Sequence, residues 1–135
     1  MAAIELAVCA PVLFFFLIGI IEFSRLGMVT QLLVNASREG ARVAVLQNSA
    51  STDVQNRITA TLANTGVSLS ALSAVDSDPG TNGTFIMPSN WSTAAGDTPI
   101  TVVIRVSFSQ VSWTTPFYLS NAKVAGSATL NSERP

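Results

Sequence analysis

Residues 1–25 read MAAIELAVCAPVLFFFLIGIIEFSR. From Leu6 to Ile21 there is no charged residue, while Glu5 stands before the run and Glu22 and Arg25 stand after it. These sixteen positions make roughly 24 Å of helix at 1.5 Å per residue, slightly short of a ~30 Å hydrocarbon core. The flanks MAAI and LGMVTQLLV lengthen the apolar segment. A helix then crosses a bilayer if Glu5 is neutralised or snorkels, with Glu22 and Arg25 near the interface. A secretory signal peptide fits poorly, because MAAIE has no basic residue and the apolar pattern does not stop at a cleavage site.

The same helix is expected to continue. In FSRLGMVTQLLVNASREGARVAVLQN, residues Leu26, Val29, Leu33, Ala36, Gly40, Val43 and Ala44 recur at intervals of three and four. That spacing marks one side of a helix. Arg38, Glu39 and Arg42 cluster further round. One helix from about Ala2 to Leu46 would be roughly 65 Å long. No clean heptad persists, which argues against a coiled coil. Pro11 lacks an N–H and collides with the carbonyl four residues back, so it should kink the helix or loosen a turn. Gly19 and Gly27 present small profiles to a neighbour. Cys9, the single cysteine, reads as a small buried hydrophobe. A carboxylate at Glu5 is costly in hydrocarbon, and the helix N-terminus offsets only part of that. A free α-ammonium, its own or a neighbouring subunit's, is the better partner.

The remaining sequence is richer in Ser, Thr, Asn and small residues. SASTDVQNRITATLANTG predicts a short helix capped by Ser51 or Thr52, with Asp53 in its first turn. Val54, Ile58 and Leu62 lie on one face, and Asn64 and Gly66 end it. VSLSALSAV alternates weakly. DSDPGTNG is a turn region rather than a calcium loop, and FIMPSNWSTAAGDTP reads as loop. TPITVVIRVSFSQV is the clearest strand, with Val102, Ile104, Val106 and Phe108 facing one way. Phe117, Tyr118 and Leu119 form a short apolar patch. KVAGSATLN alternates less clearly, with Gly126 marking a bend. Trp91 and Trp113 read as core or half-buried aromatics. The expected class is α+β: a long transmembrane-like N-terminal helix, residues 1–47, packed on a small antiparallel sheet within a polar unit, residues 48–135.

Composition narrows the chemistry. Charged residues are 11% of the 135, the net charge is −1, and there is no His. Nothing here draws nucleic acid. The common general base and metal ligand is missing, and one Cys makes neither a disulfide nor a zinc cluster. No P-loop, dinucleotide fingerprint or nucleophile elbow occurs. Glu5 and Glu22 are about 25 Å apart along a helix, too far to act as a carboxylate pair. We therefore expect neither an enzyme nor a cofactor. Three N-x-S/T sequons occur, at Asn35, Asn82 and Asn90, and Asn35 falls within the long helix.

MAAIE resembles the mature start of type IV pilins and pseudopilins, which carry Glu at their fifth position before a long apolar helix. The match is closer to the tight-adherence (TadE-like) family. It rests on AAIELAVCAPVLFFFLIGIIEFSR and NASREGAR, residues 35–42, and more loosely on TVVIRVSF and KVAGSATLNSERP. Glu5 is followed by Leu6 rather than the usual Phe, while Glu22–Phe23 is kept. The resemblance implies a pilin-like subunit, processed by a prepilin peptidase at Met1, with N-methylation there. It implies a stay in the cytoplasmic membrane, extraction by an assembly platform, and self-association through N-terminal helices into an extracellular pilus. Met1, Glu5, Pro11, Gly19, Glu22 and Arg25 would then serve processing and assembly. The alternatives are a single-pass membrane protein with an outer binding domain, or a non-filament pseudopilin of a secretion machine.

Overall fold

A computed structural model describes residues 2–63, 65–67, 75–76, 85–88, 91–112 and 115–133. Helix α1 runs from Ala2 to Ala44, 43 residues, and passes through Pro11 without interruption. It ends two residues short of the expected Leu46, where Ser49 Oγ takes over the carbonyls of Leu46, at 3.0 Å, and Ala44, at 3.4 Å. Helix α2 is Ser51–Leu62 and buries Val54, Ile58 and Leu62, as its period requires. Its cap differs from the expectation. Ala50, not Ser51 or Thr52, holds the extended N-cap position, and Asp53 accepts the Ala50 N–H at 3.0 Å. The Asp53 N–H in turn donates to the Ala50 carbonyl at 3.0 Å, so the first turn closes without a hydroxyl cap. Gly66 follows α2 at φ +74, a left-handed conformation that suits glycine.

Among the described residues, four strands form one sheet in the order β1-β2-β3-β4. They are β1 (Val75–Asp76), β2 (Phe85–Ile86), β3 (Pro99–Ser107) and β4 (Lys123–Asn131). β2, β3 and β4 are antiparallel, and the two-residue β1 joins β2 in parallel. Phe85–Ile86, expected as loop, are strand because they pair with Ile104 and Val103 and are buried. The weak alternation of 67–75 and the turn 76–83 lie mostly outside the described residues. So do Asn64, Asn82, Asn90 and Trp113.

β3 alternates as read, with Ile100, Val102, Ile104 and Val106 buried. The strand stops at Ser107, and Phe108–Val111 form a helical turn, α3. Phe108 remains buried there, by the turn rather than by strand alternation. β4 pairs with β3 along its whole length, from Lys123↔Ser107 to Asn131↔Pro99. Gly126 is therefore not a bend. A Cβ built on it would lie 2.5 Å from the Val34 backbone nitrogen and 2.6 Å from the Leu33 carbonyl oxygen. β4 uses glycine because the α1 backbone crosses it at that point.

The core joins the second half of α1 to α2 and the sheet. Val29, Leu33, Ala36, Ala41 and Ala44 of α1 share one cluster with the α2 face and the inner residues of β3. The NASREGAR segment supplies the tight end of this packing. Ala36, Ser37 and Ala41 are fully buried, and Ser37 Oγ donates to the Val34 carbonyl at 2.8 Å. Gly40 lies beneath Ile58, whose Cδ1 would be 2.7 Å from a Cβ there. Trp91 is half-buried against the same core.

Candidate functional site at the collar of the long helix

Among the described residues, the first half of α1 is covered only around Phe15 and Gly19. Large side chains from Ile4 to Phe23, including Leu6, Phe14, Phe16 and Ile21, are exposed. An 18-residue window of this helix has mean hydropathy 2.6 and no buried residue. It is long and apolar enough to cross a membrane. Cys9 is exposed on it, which corrects the expectation of a buried thiol. The chain's own core begins further along, at Val29, so residues around Cys9 have no partner layer to sink into. Glu5 is exposed in the first turn. Met1 lies outside the described residues.

Where this bare half meets the folded half, Glu22 and Arg25 hold the polar segments together. Glu22 is only 5% exposed. Its carboxylate accepts the backbone N–H groups of Phe117, of Tyr118 at 3.0 Å and of Leu119 at 3.2 Å. Three successive donors converge on one carboxylate, a small anion-binding nest. Pro116, just before them, is buried and has no N–H of its own, so the loop's first donor is Phe117. The sequence places Glu22 near the interface, after the apolar run. It turns inward because the loop brings three donors that would otherwise lose water without a partner.

Arg25 lies one turn further on. Its Nη2 and Nε donate to the Val111 carbonyl at 2.9 and 3.2 Å, and Nη2 is 3.4 Å from the Gly66 carbonyl. This guanidinium ties α1 to the end of α3 and to the segment after α2. Glu22 and Arg25 thus both bond to loop backbone of their own chain.

Gly19 lies across from Tyr118, whose Cε2 would be 3.6 Å from a Cβ. The chain's own aromatic fills the space that its small profile leaves. Gly27 has no described residue within 4 Å of such a Cβ. Tyr118 Oη donates to the Phe15 carbonyl at 3.3 Å, and the Phe117 ring is 5.7 Å from that of Phe15 and 5.0 Å from that of Tyr118. The apolar patch seen at 117–119 is thus applied to the apolar helix, and its link to Glu22 carries no sequence signal because the donors are backbone groups.

Glu39 marks the far end of α1. Its carboxylate meets Arg57 of α2 at 2.8 Å and Arg42 at 3.2 Å. The hydrogen bond from Arg57, with smaller help from the Arg42 and Arg57 charges, outweighs the opposing effect of desolvation and holds the carboxyl below its ordinary range.

No curated protein and no solved structure matches the chain significantly. The TadE-like protein family does match, over residues 1–42 of the 135. The matched segment ends at Arg42, the last residue of NASREGAR, and leaves TVVIRVSF and KVAGSATLNSERP outside. It contains both the bare half of α1 and the two collar residues, Glu22 and Arg25. Over residues 1–42 this chain is similar to TadE-like proteins.

Proposed function

We propose that the chain is a structural subunit, pilin or minor pilin or pseudopilin, that polymerises through α1 into an extracellular type IV or Tad-like pilus. The observation that carries this reading is the division of α1. Its second half is built into the core of the chain, while residues 6–21 carry no charge and most of their large apolar side chains are exposed. Such a surface needs an apolar surrounding. A bilayer supplies it before assembly, and the same segment of neighbouring subunits supplies it in a filament. The TadE-like match over this segment supports the choice.

In this reading the subunit waits in the cytoplasmic membrane with its sheet outside. A prepilin peptidase frees and N-methylates the terminus, and an assembly platform extracts the chain. Glu5 meets the α-ammonium of a neighbouring subunit, which removes an isolated carboxylate from the apolar core of the filament. The chain carries out no catalysis and takes no cofactor or nucleic acid. Glu5→Ala should leave the protein in the membrane fraction at wild-type abundance and deplete it from sheared filaments. Equal incorporation of the variant would remove the role of Glu5.

A further inference from the structure

We propose that the 116–119 loop is a second membrane contact, an aromatic anchor that enters the lipid leaflet beside α1 and sets how deeply the subunit sits. This rests on the membrane reading of the apolar half-helix. Three observations point to lipid rather than water around the loop.

The first is its level. Tyr118 bonds to Phe15 and covers Gly19, while the loop backbone bonds to Glu22. Residues 15 to 22 occupy about 10 Å of helix axis. If residues 4–23 fill a ~30 Å hydrocarbon core, that stretch is its outer third.

The second is polar satisfaction. Backbone groups placed at membrane depth must find partners within the protein. The N–H groups of Phe117, Tyr118 and Leu119 all reach Glu22, and the Tyr118 hydroxyl reaches the Phe15 carbonyl. Nearby, the Ser24 hydroxyl returns to the Ile20 carbonyl at 2.8 Å. The loop thus meets the condition that hydrocarbon sets for backbone N–H groups at these positions.

The third is what the loop presents outward. Phe117 is 63% exposed and Tyr118 50%, side by side and continuous with Phe15 and Phe16. Aromatic side chains with one polar tip favour the membrane boundary. Glu22 thus keeps the loop closed on the helix, and the two rings face lipid.

The test uses nitroxide labels on the full chain in phosphatidylcholine vesicles at high lipid-to-protein ratio. Cys9→Ala removes the single cysteine, and one label is placed at a time through Phe14→Cys, Phe117→Cys or Ser127→Cys. All three positions are exposed, so the fold should tolerate them. The ratio of oxygen to nickel-chelate accessibility reports depth. The proposal expects the ratio at 117 to be several-fold above that at 127 and to approach that at 14. A lipid-like 14 with 117 equal to 127 overturns the anchor and leaves the membrane helix standing. A water-like 14 overturns the membrane reading and the anchor together. Spin–spin broadening at 117 places a second copy on the loop and overturns the lipid assignment.

Discussion

The Glu22 carboxylate accepts the Tyr118 N–H at 3.0 Å, across 96 residues of chain. This bond, with its two companions from Phe117 and Leu119, fixes the last loop before β4 to the boundary between the bare and packed halves of α1. Leaving buried N–H donors without an acceptor costs about 1–3 kcal/mol. Glu22→Ala should therefore destabilise the folded part by about 2 kcal/mol. Glu22→Gln retains a single acceptor oxygen and should lose less. Denaturant unfolding in detergent measures both, and an unchanged midpoint for Glu22→Ala would show that the nest contributes nothing.

Arg25 makes an independent tie to Val111. Arg25→Lys keeps the charge but not the paired donors on one carbonyl. The end of α3, where Ser112 N–H bonds to the Phe108 carbonyl at 3.0 Å, should open more often. Hydrogen exchange at Ser112 should accelerate in Arg25→Lys, with β3 protection unchanged. Equal acceleration throughout β3 would mean that Arg25 supports the whole sheet and not this turn.

The glycines of α1 and β4 predict opposite outcomes. Gly126→Ala drives a methyl into the α1 backbone at Leu33–Val34 and should destabilise by about 3 kcal/mol, the upper range for overpacking. Gly27→Ala meets open space on a helix and should be neutral, or stabilise by up to about 1 kcal/mol. Thermal unfolding of the two variants side by side gives the comparison. A neutral Gly126→Ala would mean that β4 and α1 separate easily.

Periodic features were legible in the sequence, while the contacts that lock them were not. The 3–4 spacing of Val29, Leu33 and Ala36 and the alternation of Val102, Ile104 and Val106 each follow from one element's own geometry. Both pointed to the observed faces. Glu22 was visible as a carboxylate after an apolar run, but its partners are backbone N–H groups, which every residue except proline owns. Gly126 was visible as a break in alternation; only the crossing helix shows why. Cys9 misled because an apolar run was read as interior, when most of it lies outside the chain's own core. Ala50 holds the N-cap of α2 without a side-chain oxygen, and Asp53 binds the Ala50 N–H instead.

Glu39 gives the α1–α2 contact an acid dependence. Its folded carboxyl is held below the ordinary glutamate range, chiefly by Arg57. The unfolded chain therefore takes up this proton first as pH falls. The contribution is full above the unfolded pKa and is lost as pH drops through the lowered folded one. Urea midpoints of wild type and Glu39→Gln should differ at pH 7 and converge in acid. The pair is exposed, so the difference should be small and shrink with salt. A gap that widens in acid would contradict the pairing.

The central claim is that α1 carries this chain into a filament. Gold-labelled antibody against the sheet layer, applied to filaments sheared from wild-type cells and viewed by negative stain, tests it most directly. The account predicts gold on the filaments, and no gold on filaments from cells that lack the chain. Filaments without label, from cells whose membranes hold the protein in abundance, would contradict it.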